Sequence, residues 1–383
     1  MKNFINKSML DAQDMPIMSN FHELVEALRL SEKLVYWASN DKSYGRYKAF
    51  SIPKKDGTDR KLNVPATSIK VIQRWILENI LYKTSTSQYS YGFKKDVNGS
   101  PLVSCVEKHK DNMYVLKMDL KNFYPSIKKE RIFYQFINWG YNDEISNLLT
   151  NICTCEDELP QGAVTSACLA NIVCKHMDIR IAGYCNKREI IYTRYADDMM
   201  FSCNNRLTLR NIYGMIEKIV NSEGFTLNEK KTIFMTPKGH KKLLGLTVND
   251  GLVKVSKQLK NEIRAIIHYH IATGDYRDIE KTKGYISFIV SIEKDYKDKI
   301  IKYISKLSIS SLSMFPEIVE AYNLNKIFAE LPDMKLRKAE DFVKFNDIDV
   351  FEGFVYCEHQ NYLSKHGLIE ANYDDNADYD DIW

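Results

Sequence analysis

The chain has 383 residues, 44% of them hydrophobic, and a formal net charge of +4. That length exceeds a single compact core and predicts two or three packed modules. No apolar run approaches the ~18 residues of a membrane-spanning helix, and the first residues lack a signal-peptide core, so we expect a cytoplasmic protein with no membrane partner. The eight cysteines are scattered without zinc spacing and are expected to be reduced thiols.

Charge is distributed unevenly along the chain. Residues 351–383 hold eight acidic residues against one basic residue, Lys365, which gives −7 and leaves +11 on residues 1–350. A basic body with an acidic tail suits a protein that handles a polyanion such as nucleic acid. A solvated basic surface followed by a disordered end fits the same distribution equally well.

The first part of the chain predicts two helices, a hairpin and a strand. Apolar residues at helical spacing predict amphipathic helices over Phe21–Tyr36 and Ser68–Leu81. Between them, Ser51–Pro65 places a Lys-Asp-Gly turn between two extended segments, which predicts a basic hairpin. Tyr114–Asp119 is predicted to be a short, mainly apolar strand that ends in an aspartate.

The rest of the chain predicts a second hairpin and several helices. A helix is expected over Ala167–Met177, after a Pro-Gln-Gly turn. Ile190–Phe201 has two apolar arms around Ala-Asp-Asp, which predicts a hairpin with carboxylates at its tip. We expect a helix over Leu207–Val220 and a strand, turn and strand over Lys242–Val255. From there to about residue 310 the pattern is helical and lysine-rich.

Three aspartates form the candidate catalytic group. Asp197 and Asp198 are adjacent at the predicted turn, where like charges repel unless cations compensate them; such pairs also occur in harmless exposed turns. Asp119 ends an apolar strand, where packing does not explain an acid. Three carboxylates from two neighbouring strands are suited to hold two Mg²⁺ ions ~3.5–4 Å apart. Oxygen ligands without nearby Cys or His favour Mg²⁺, with Mn²⁺ as the alternative, over zinc.

Six segments, in order from residue 52 to residue 288, resemble the motifs of reverse transcriptases. Residues 192–202, YTRYADDMMFS, are similar to the YxDD motif in the form of the bacterial retron group. Residues 118–127, MDLKNFYPSI, resemble the first catalytic motif. The remaining segments resemble the fingers hairpin, the nucleotide-pocket segment, the later palm motifs and a thumb signature: residues 52–62, 159–174, 227–245 and 284–288. The sequence is thereby identified as a member of this family.

The resemblance implies roles for the acids and for one lysine. Asp119, Asp197 and Asp198 would ligate the metal ions, assisted by the carbonyl of Leu120. Lys231 would protonate the departing pyrophosphate, although it also fits a surface lysine. Together these residues would catalyse nucleotidyl transfer to a primer 3′-hydroxyl.

The resemblance also implies a binding site for the incoming nucleotide. Lys54 and Arg60 would grip the triphosphate, and Gln161 and Gly162 would form the floor of the pocket, where glycine allows close backbone approach. Tyr124 matches the steric-gate position, where a bulky ring leaves no space for a ribose 2′-hydroxyl and so favours deoxynucleotides. As alternatives, Lys54 and Arg60 could be exposed charges on a hairpin, Gln161 and Gly162 a simple turn, and Tyr124 a core aromatic residue.

A further set of residues is implied to contact the primer. Tyr195 would orient the hairpin and touch the primer, and Leu244 and Gly245 would seat its end, with an ordinary β-turn as the alternative for this pair. Arg194 is expected to pair with an acid or a phosphate. A purely structural role is the alternative for both Tyr195 and Arg194. The basic helical stretch Lys254–Lys306 suits a thumb that embraces a duplex by its phosphates, or else a solvated amphipathic surface.

The fold that the resemblance implies is an α+β right-hand polymerase, with an RRM-like βαββαβ palm between α-rich fingers and a helical thumb. We expect the fingers with N-terminal helices in residues 1–110 and the palm, with a fingers insertion, in residues 111–250. The thumb is expected in residues 251–310. Residues 311–383 would form a C-terminal extension with an acidic tail.

The implied function is RNA-directed DNA synthesis from deoxynucleoside triphosphates. In the retron version a structured noncoding RNA is template and primer source, the product is single-stranded DNA, and the system serves antiphage defence with an effector protein as a further partner. Two elements depart from the retron pattern: Cys105–His109 keeps only the histidine of an Asn-Ala-x-x-His element, and Leu243–Gly245 replaces Val-Thr-Gly. Another defence-associated or group II intron-like reverse transcriptase, an RNA-dependent RNA polymerase and a catalytically silent RNA-binding scaffold stay open as alternatives.

Overall fold

The computed structural model describes residues 4–53, 57, 59–94, 100–249, 251–309 and 322. By internal contacts the chain divides into two compact units. The first consists of Met1–Leu244 with Val248–Gly251, and the second of Gly245–Thr247 with Leu252–Trp383. Lys54 and nearly all of the expected C-terminal extension lie outside the described residues. The finer division into fingers, palm, thumb and extension stays a prediction.

The N-terminal region is helical, with three helices where one was expected. It contains α1 (Lys7–Ala12), α2 (Phe21–Leu28) and α3 (Glu32–Ser39). The single helix expected over Phe21–Tyr36 is wrong, because Arg29 adopts a left-handed conformation (φ 54°) that ends α2 before α3 begins.

The expected basic hairpin is confirmed. Strands β1 (Tyr47–Pro53) and β2 (Asp59–Pro65) pair antiparallel along their whole length. The following helix, α4 (Thr67–Asn79), matches the predicted helix and buries one isoleucine-rich face. A shorter helix, α5 (Pro101–Glu107), precedes the central sheet.

The central sheet has four strands in the order β4-β5-β3-β6, and every neighbouring pair is antiparallel. The strands are β3 (Tyr114–Asp119), β4 (Ile191–Tyr195), β5 (Asp198–Cys203) and β6 (Ile233–Met235). With helices between β3 and β4 and between β5 and β6, the chain order is βαββαβ. This arrangement confirms the RRM-like palm and the α+β class.

The helices that pack with this sheet are more broken than the sequence predicted. The first connection contains four helices: α6 (Lys129–Trp139), α7 (Asp143–Cys153), α8 (Ser166–Val173) and α9 (Lys175–Asn186). The second contains α10 (Arg206–Arg210) and α11 (Tyr213–Ser222). The helix expected over Ala167–Met177 is therefore divided between α8 and α9, and that over Leu207–Val220 between α10 and α11.

The central strands of the sheet are buried, which fixes their register. Met118, Met199 and Phe201 have no exposed surface and join one hydrophobic core with the surrounding helices. Because side chains alternate along a strand, a shift by one residue would turn these side chains out of the core. The residues at the strand ends are thereby held in fixed positions.

The remaining elements are three short strands and three helices. The strands are β7 (Lys241–Leu243), β8 (Leu246–Asn249) and β9 (Leu252–Val255), so the expected strand pair around residue 250 is present, preceded by an additional strand. The expected helical stretch is confirmed as α12 (Lys257–Thr273), α13 (Ile279–Ile292) and α14 (Tyr296–Ile309). Among the helices of the described ranges, none has the length and apolar character needed to cross a membrane.

Candidate active site

The three aspartates meet where two central strands end. Asp119, the last residue of β3, is the direct register partner of Asp198, the first residue of β5. The turn before β5 contains Ala196, at φ 55°, and Asp197. The backbone N–H of Leu120 donates to the carbonyl of Asp197 at 2.9 Å. The expected hairpin with an acidic tip is therefore present, and it faces the end of β3.

Two lysines already neutralise part of this negative charge. The Lys231 Nζ lies 2.5 Å from Asp119 Oδ1, and the Lys117 Nζ lies 2.9 Å from Asp198 Oδ1. The hydrogen bond to Asp119, together with the surrounding negative charges, raises the pKa of Lys231, so this ammonium keeps its proton. Three acids against two lysines leave the group with a net negative charge.

The surroundings of Asp197 disfavour the ionised form of its carboxyl group. Burial raises the pKa of its carboxyl group above the ordinary value, and the charges of Asp198 and Asp119 raise it further. A bound cation would remove this electrostatic penalty. The oxygen-only donor set suits a hard divalent ion rather than zinc.

The described residues contain no group of three or more His, Cys, Asp or Glu side chains that could hold a metal ion as they stand. Asp119 and Asp198 instead each contact a lysine. The sharing of metal ions by the three carboxylates therefore stays a prediction.

Tyr124 lies close enough to the acids to interact with their charge. Burial, and then the negative charge of Asp197, raise the pKa of Tyr124 to about 12. Its ring is half-buried and packs against Phe123, with 5.2 Å between the ring centroids. The phenol is therefore neutral at physiological pH and lies near Asp197; its role as a steric gate stays a prediction.

The expected pocket floor is tied to the basic hairpin. The backbone N–H of Asn63, on β2, donates to the carbonyl of Gln161 at 2.9 Å. Gly162 has φ 123°, and a Cβ there would lie 3.1 Å from the Asn63 carbonyl oxygen, so a larger residue is disfavoured. Arg60 is exposed on β2 opposite Ile52; its contact with a triphosphate stays a prediction.

The residues expected to hold the primer occupy two places. Tyr195 ends β4 and is the register partner of Asp198 on β5. Leu244 and Gly245 form the turn between β7 and β8, with φ values of 50° and 83°. A positive φ is uncommon for leucine, so this turn is a constrained one, and its role with the primer stays a prediction.

A buried ion pair contacts the backbone of the acidic turn. Arg194, expected to pair with an acid or a phosphate, pairs with Asp178 on α9 through two bonds of 2.8 Å, and neither side chain is exposed. The Nη1 of Arg194 also donates to the carbonyl of Ala196 at 2.9 Å and to Asn171 Oδ1 at 3.1 Å. Tyr192 donates its hydroxyl to Asp178 at 2.8 Å.

Sequence reasoning missed Asp178 and the segment 89–94 that runs along β4. The Arg194 N–H donates to the Tyr89 carbonyl at 2.7 Å, and the Tyr91 N–H donates to the Arg194 carbonyl at 2.8 Å. A Cβ on Gly92 would lie 2.8 Å from the Ala196 nitrogen, so the segment passes directly against the acidic turn. The available signals were an acid on the apolar face of a helix and a glycine within an aromatic run.

His109 is fully buried. Its two ring nitrogens lie 2.7 Å from Ser202 Oγ and 2.8 Å from Thr193 Oγ1, on β5 and β4 respectively. Burial lowers the pKa of His109 to about 3, so the ring is neutral at physiological pH. The one residue kept from the expected Asn-Ala-x-x-His element thus braces the hairpin in this chain.

Comparison with known proteins agrees with this geometry. Residues 52–248 match the family described as "Reverse transcriptase (RNA-dependent DNA polymerase)". The chain is 36% identical over 310 residues to the retron Ec86 reverse transcriptase of Escherichia coli, covering 79% of this chain and 94% of that protein. It is 29% identical over 266 residues to the retron Mx65 reverse transcriptase of Myxococcus xanthus, covering 65% and 61%.

Among solved structures, a telomerase from Candida albicans in complex with a fragment of telomeric RNA aligns with a TM-score of 0.42 and 11% identity, covering 75% of this chain and 61% of the telomerase. The assignment does not depend on this likeness. Reverse transcriptases act with divalent metal ions, RNA templates and DNA products, which the acidic site suits. The match to the family over residues 52–248, the identity to retron enzymes and the strand order of the sheet give one assignment. The chain belongs to the reverse transcriptases, which are RNA-dependent DNA polymerases, and to their retron-type members.

Proposed function

We propose that this RNA-dependent DNA polymerase copies a structured noncoding RNA into single-stranded DNA, as part of a retron antiphage defence system. The observation that carries the polymerase assignment is the pairing of Asp119 opposite Asp198, with Asp197 on the adjoining turn. The 36% identity over 94% of a retron enzyme supports the retron assignment.

Asp119, Asp197 and Asp198, with the Leu120 carbonyl, are the residues that would hold two Mg²⁺ ions, for which Mn²⁺ can substitute. When bound, such ions supply Lewis-acid activation of the primer 3′-hydroxyl and stabilise the leaving pyrophosphate. Lys231 carries its proton on Nζ at the edge of this group, because the pairing with Asp119 raises its pKa. In this proposal Lys231 donates that proton to the departing pyrophosphate.

Selection of the incoming nucleotide is assigned to residues of the first unit. Lys54 and Arg60 would bind the triphosphate, while Gln161 and Gly162 would line the floor of the pocket. Tyr124, neutral and beside Asp197, would exclude the ribose 2′-hydroxyl by the bulk of its ring. The substrates are therefore deoxynucleoside triphosphates.

The polymerase proposal is tested by primer extension on an RNA template with a DNA primer, Mg²⁺ and labelled deoxynucleotides. Wild-type protein should extend the primer, and Asp197→Ala/Asp198→Ala should not, whereas Asp11→Asn, an exposed acid on α1, should behave as wild type. Binding of the template should survive in the double variant. Equal product from the double variant and wild type would defeat the catalytic assignment in favour of an RNA-binding scaffold.

The retron proposal is tested separately through the nucleic acid that the protein makes in cells. The gene would be expressed with its flanking DNA, and nucleic acid that copurifies with the chain would be sequenced before and after RNase treatment. We expect a single-stranded DNA joined to one structured RNA, present with wild type and missing with the double variant. DNA copied from many unrelated RNAs would contradict the retron assignment while leaving the polymerase intact.

A further inference from the structure

Gln73 is a polar residue on the apolar face of a helix. It lies on α4 with no exposed surface, one turn from Ile69 and from Ile76, which are also fully buried. A buried amide group destabilises a fold unless its donors and its acceptor form hydrogen bonds, and an apolar side chain of similar length carries no such requirement. The glutamine therefore needs an explanation in what its amide group contacts.

The amide group of Gln73 forms hydrogen bonds to three separate segments of the first unit. Its Nε2 donates to the hydroxyl of Tyr47 and to the carbonyl of Ile152, both at 2.8 Å. Its Oε1 accepts from the backbone N–H of Val164 at 3.1 Å. The Tyr47 hydroxyl in turn donates to the Ile152 carbonyl at 3.1 Å. One buried side chain thus joins α4 to each segment by a directed bond.

Two of these segments belong to the expected nucleotide pocket. Tyr47 is the first residue of β1 and pairs with the last residue of β2, so it lies at the base of the basic hairpin. Val164 lies two residues after Gly162, within residues 160–166, which we call the floor segment. Gln73 therefore contacts both the base of the hairpin and the floor segment.

The floor segment is a closed loop. Ser166 Oγ donates to the Pro160 carbonyl at 2.7 Å, which joins the two ends of the segment. Because the loop is closed on itself, its bonds to other segments set its position. Two connections tie it to the hairpin: the bond to β2 described above, and the path that runs through Gln73 to Tyr47.

We propose that Gln73 is a positioning residue for the incoming nucleotide, which holds the floor segment at a set distance from the basic hairpin. The inference rests on the proposed polymerase function, in which Gln161 and Gly162 line the pocket floor and Arg60 binds the triphosphate. Gln73 is buried and acts only through these two walls. A ligand held between two walls loses affinity when one of them is free to move, because binding must then also order that wall. Loss of the Gln73 amide should therefore weaken nucleotide binding more than it slows the chemical step.

Gln73→Met tests the proposal, because it keeps a long unbranched side chain and removes the amide group. Tyr47→Phe removes only the hydroxyl that Gln73 contacts. The matched control is Ile76→Val, on the same buried face of α4, which loosens the core without breaking a hydrogen bond. Steady-state primer extension gives kcat and the KM for deoxynucleotides, and fluorescence anisotropy gives the affinity for an RNA-template/DNA-primer duplex. All are measured well below the Tm of each variant.

We expect Gln73→Met to raise the KM for deoxynucleotides about tenfold, the size of effect that loss of one buried hydrogen bond produces. Its kcat should stay within about threefold of wild type and its duplex affinity within about twofold, since the acids are unchanged. Tyr47→Phe should raise the KM about threefold, and Gln73→Met/Tyr47→Phe no more than Gln73→Met alone, because both residues act through one network. Ile76→Val should lower the Tm and leave the KM within about twofold of wild type. Hydrogen exchange of the floor segment should quicken in Gln73→Met and not in Ile76→Val.

An unchanged KM in Gln73→Met would overturn the positioning role, as would a loss of kcat and duplex affinity as large as the rise in KM. If Gln73→Met does not fold, Tyr47→Phe decides, and a wild-type KM in that variant would reject the proposal. Failure of the polymerase proposal gives a different pattern, in which wild type extends no primer while hydrogen exchange of the floor segment still quickens in Gln73→Met. The contact of Gln73 with the floor segment would then stand, and its role with a nucleotide would fall together with the polymerase.

Discussion

Arg194 and Asp178 form an ion pair with two parallel hydrogen bonds of 2.8 Å, in which neither side chain reaches solvent. The pair joins β4 to α9, and the third nitrogen of the guanidinium holds the Ala196 carbonyl of the acidic turn. Lysine cannot reproduce this planar, forked contact. We therefore assign Arg194 as a positioning residue for the turn that carries Asp197.

Breaking this pair is expected to destabilise the fold strongly. Arg194→Met would leave Asp178 buried without a counterion, at a cost of about 3–5 kcal/mol in the free energy of unfolding. Arg180 lies on α9, the helix that carries Asp178, and forms a partly exposed ion pair with Glu223. Arg180→Met removes this pair and should cost less than about 1 kcal/mol in the free energy of unfolding. Urea denaturation measures both values, and a loss below 1 kcal/mol for Arg194→Met would contradict the structural role.

Asp197→Asn should stabilise the metal-free protein at neutral pH. The pKa of Asp197 is raised by burial and by its acidic neighbours, so the carboxyl group stabilises the fold below its unfolded-state pKa of about 3.9. This contribution is lost as the pH rises through the higher folded-state pKa. In chelator at pH 7 the Tm of the variant should exceed that of wild type, and the difference should shrink toward pH 4.

Addition of Mg²⁺ provides the control for that experiment. The ion should raise the Tm of wild type, because a ligand that binds the folded state stabilises it, and should raise that of Asp197→Asn much less. An identical rise in both proteins would place the ion elsewhere.

Tyr124→Ala is expected to admit ribonucleotides. Removal of the ring opens space for the 2′-hydroxyl, so the ratio of kcat/KM for dNTP over rNTP should fall by roughly tenfold or more. Tyr124→Phe should keep the wild-type ratio, since the ring and not the neutral hydroxyl provides the bulk. Steady-state incorporation with each nucleotide class measures the ratio, and unchanged selectivity in Tyr124→Ala would remove the gate assignment.

Gly92→Ala should slow catalysis without weakening duplex binding. The new Cβ would lie 2.8 Å from the backbone nitrogen of Ala196, so the acidic turn must shift, and small displacements at an active site can cost on the order of a hundredfold in rate. Gly183→Ala, on α9, is the matched control because no atom lies within 4 Å of its Cβ position. Single-turnover extension should show a lower rate constant for nucleotide addition in Gly92→Ala only. Equal rate constants in the two variants would contradict the close approach.

The sequence identified the elements whose signals are local. Strand β3 and its terminal Asp119 follow from a short apolar run, and the β4–β5 hairpin follows from two apolar arms around an acidic turn. Their meeting is a consequence of the sheet order, which the family resemblance implied and composition alone does not contain. The helix boundary at Arg29 was missed because a left-handed residue other than glycine leaves little trace in a periodic pattern.

The residues that position the site were harder to predict, since their partners are distant in sequence. Asp178 lies 16 residues from Arg194, and no local pattern pairs them. Gly92 and Phe93 lie about a hundred residues before the hairpin that they contact, within a segment without regular structure. Such contacts depend on tertiary packing, and they emerge only when the chain is folded.

The buried imidazole of His109 makes the stability of the first unit depend on pH. Above pH 6.5 the neutral ring bridges Thr193 and Ser202, and because its folded-state pKa is depressed to about 3, the stability that it provides declines as the pH falls from about 6.5 toward 3. Protonation would place an unpartnered cation between the two strands that present the acids. The first unit should therefore lose stability gradually below about pH 6.5, measured as a falling Tm, while the ring stays neutral in the folded protein until the pH approaches about 3.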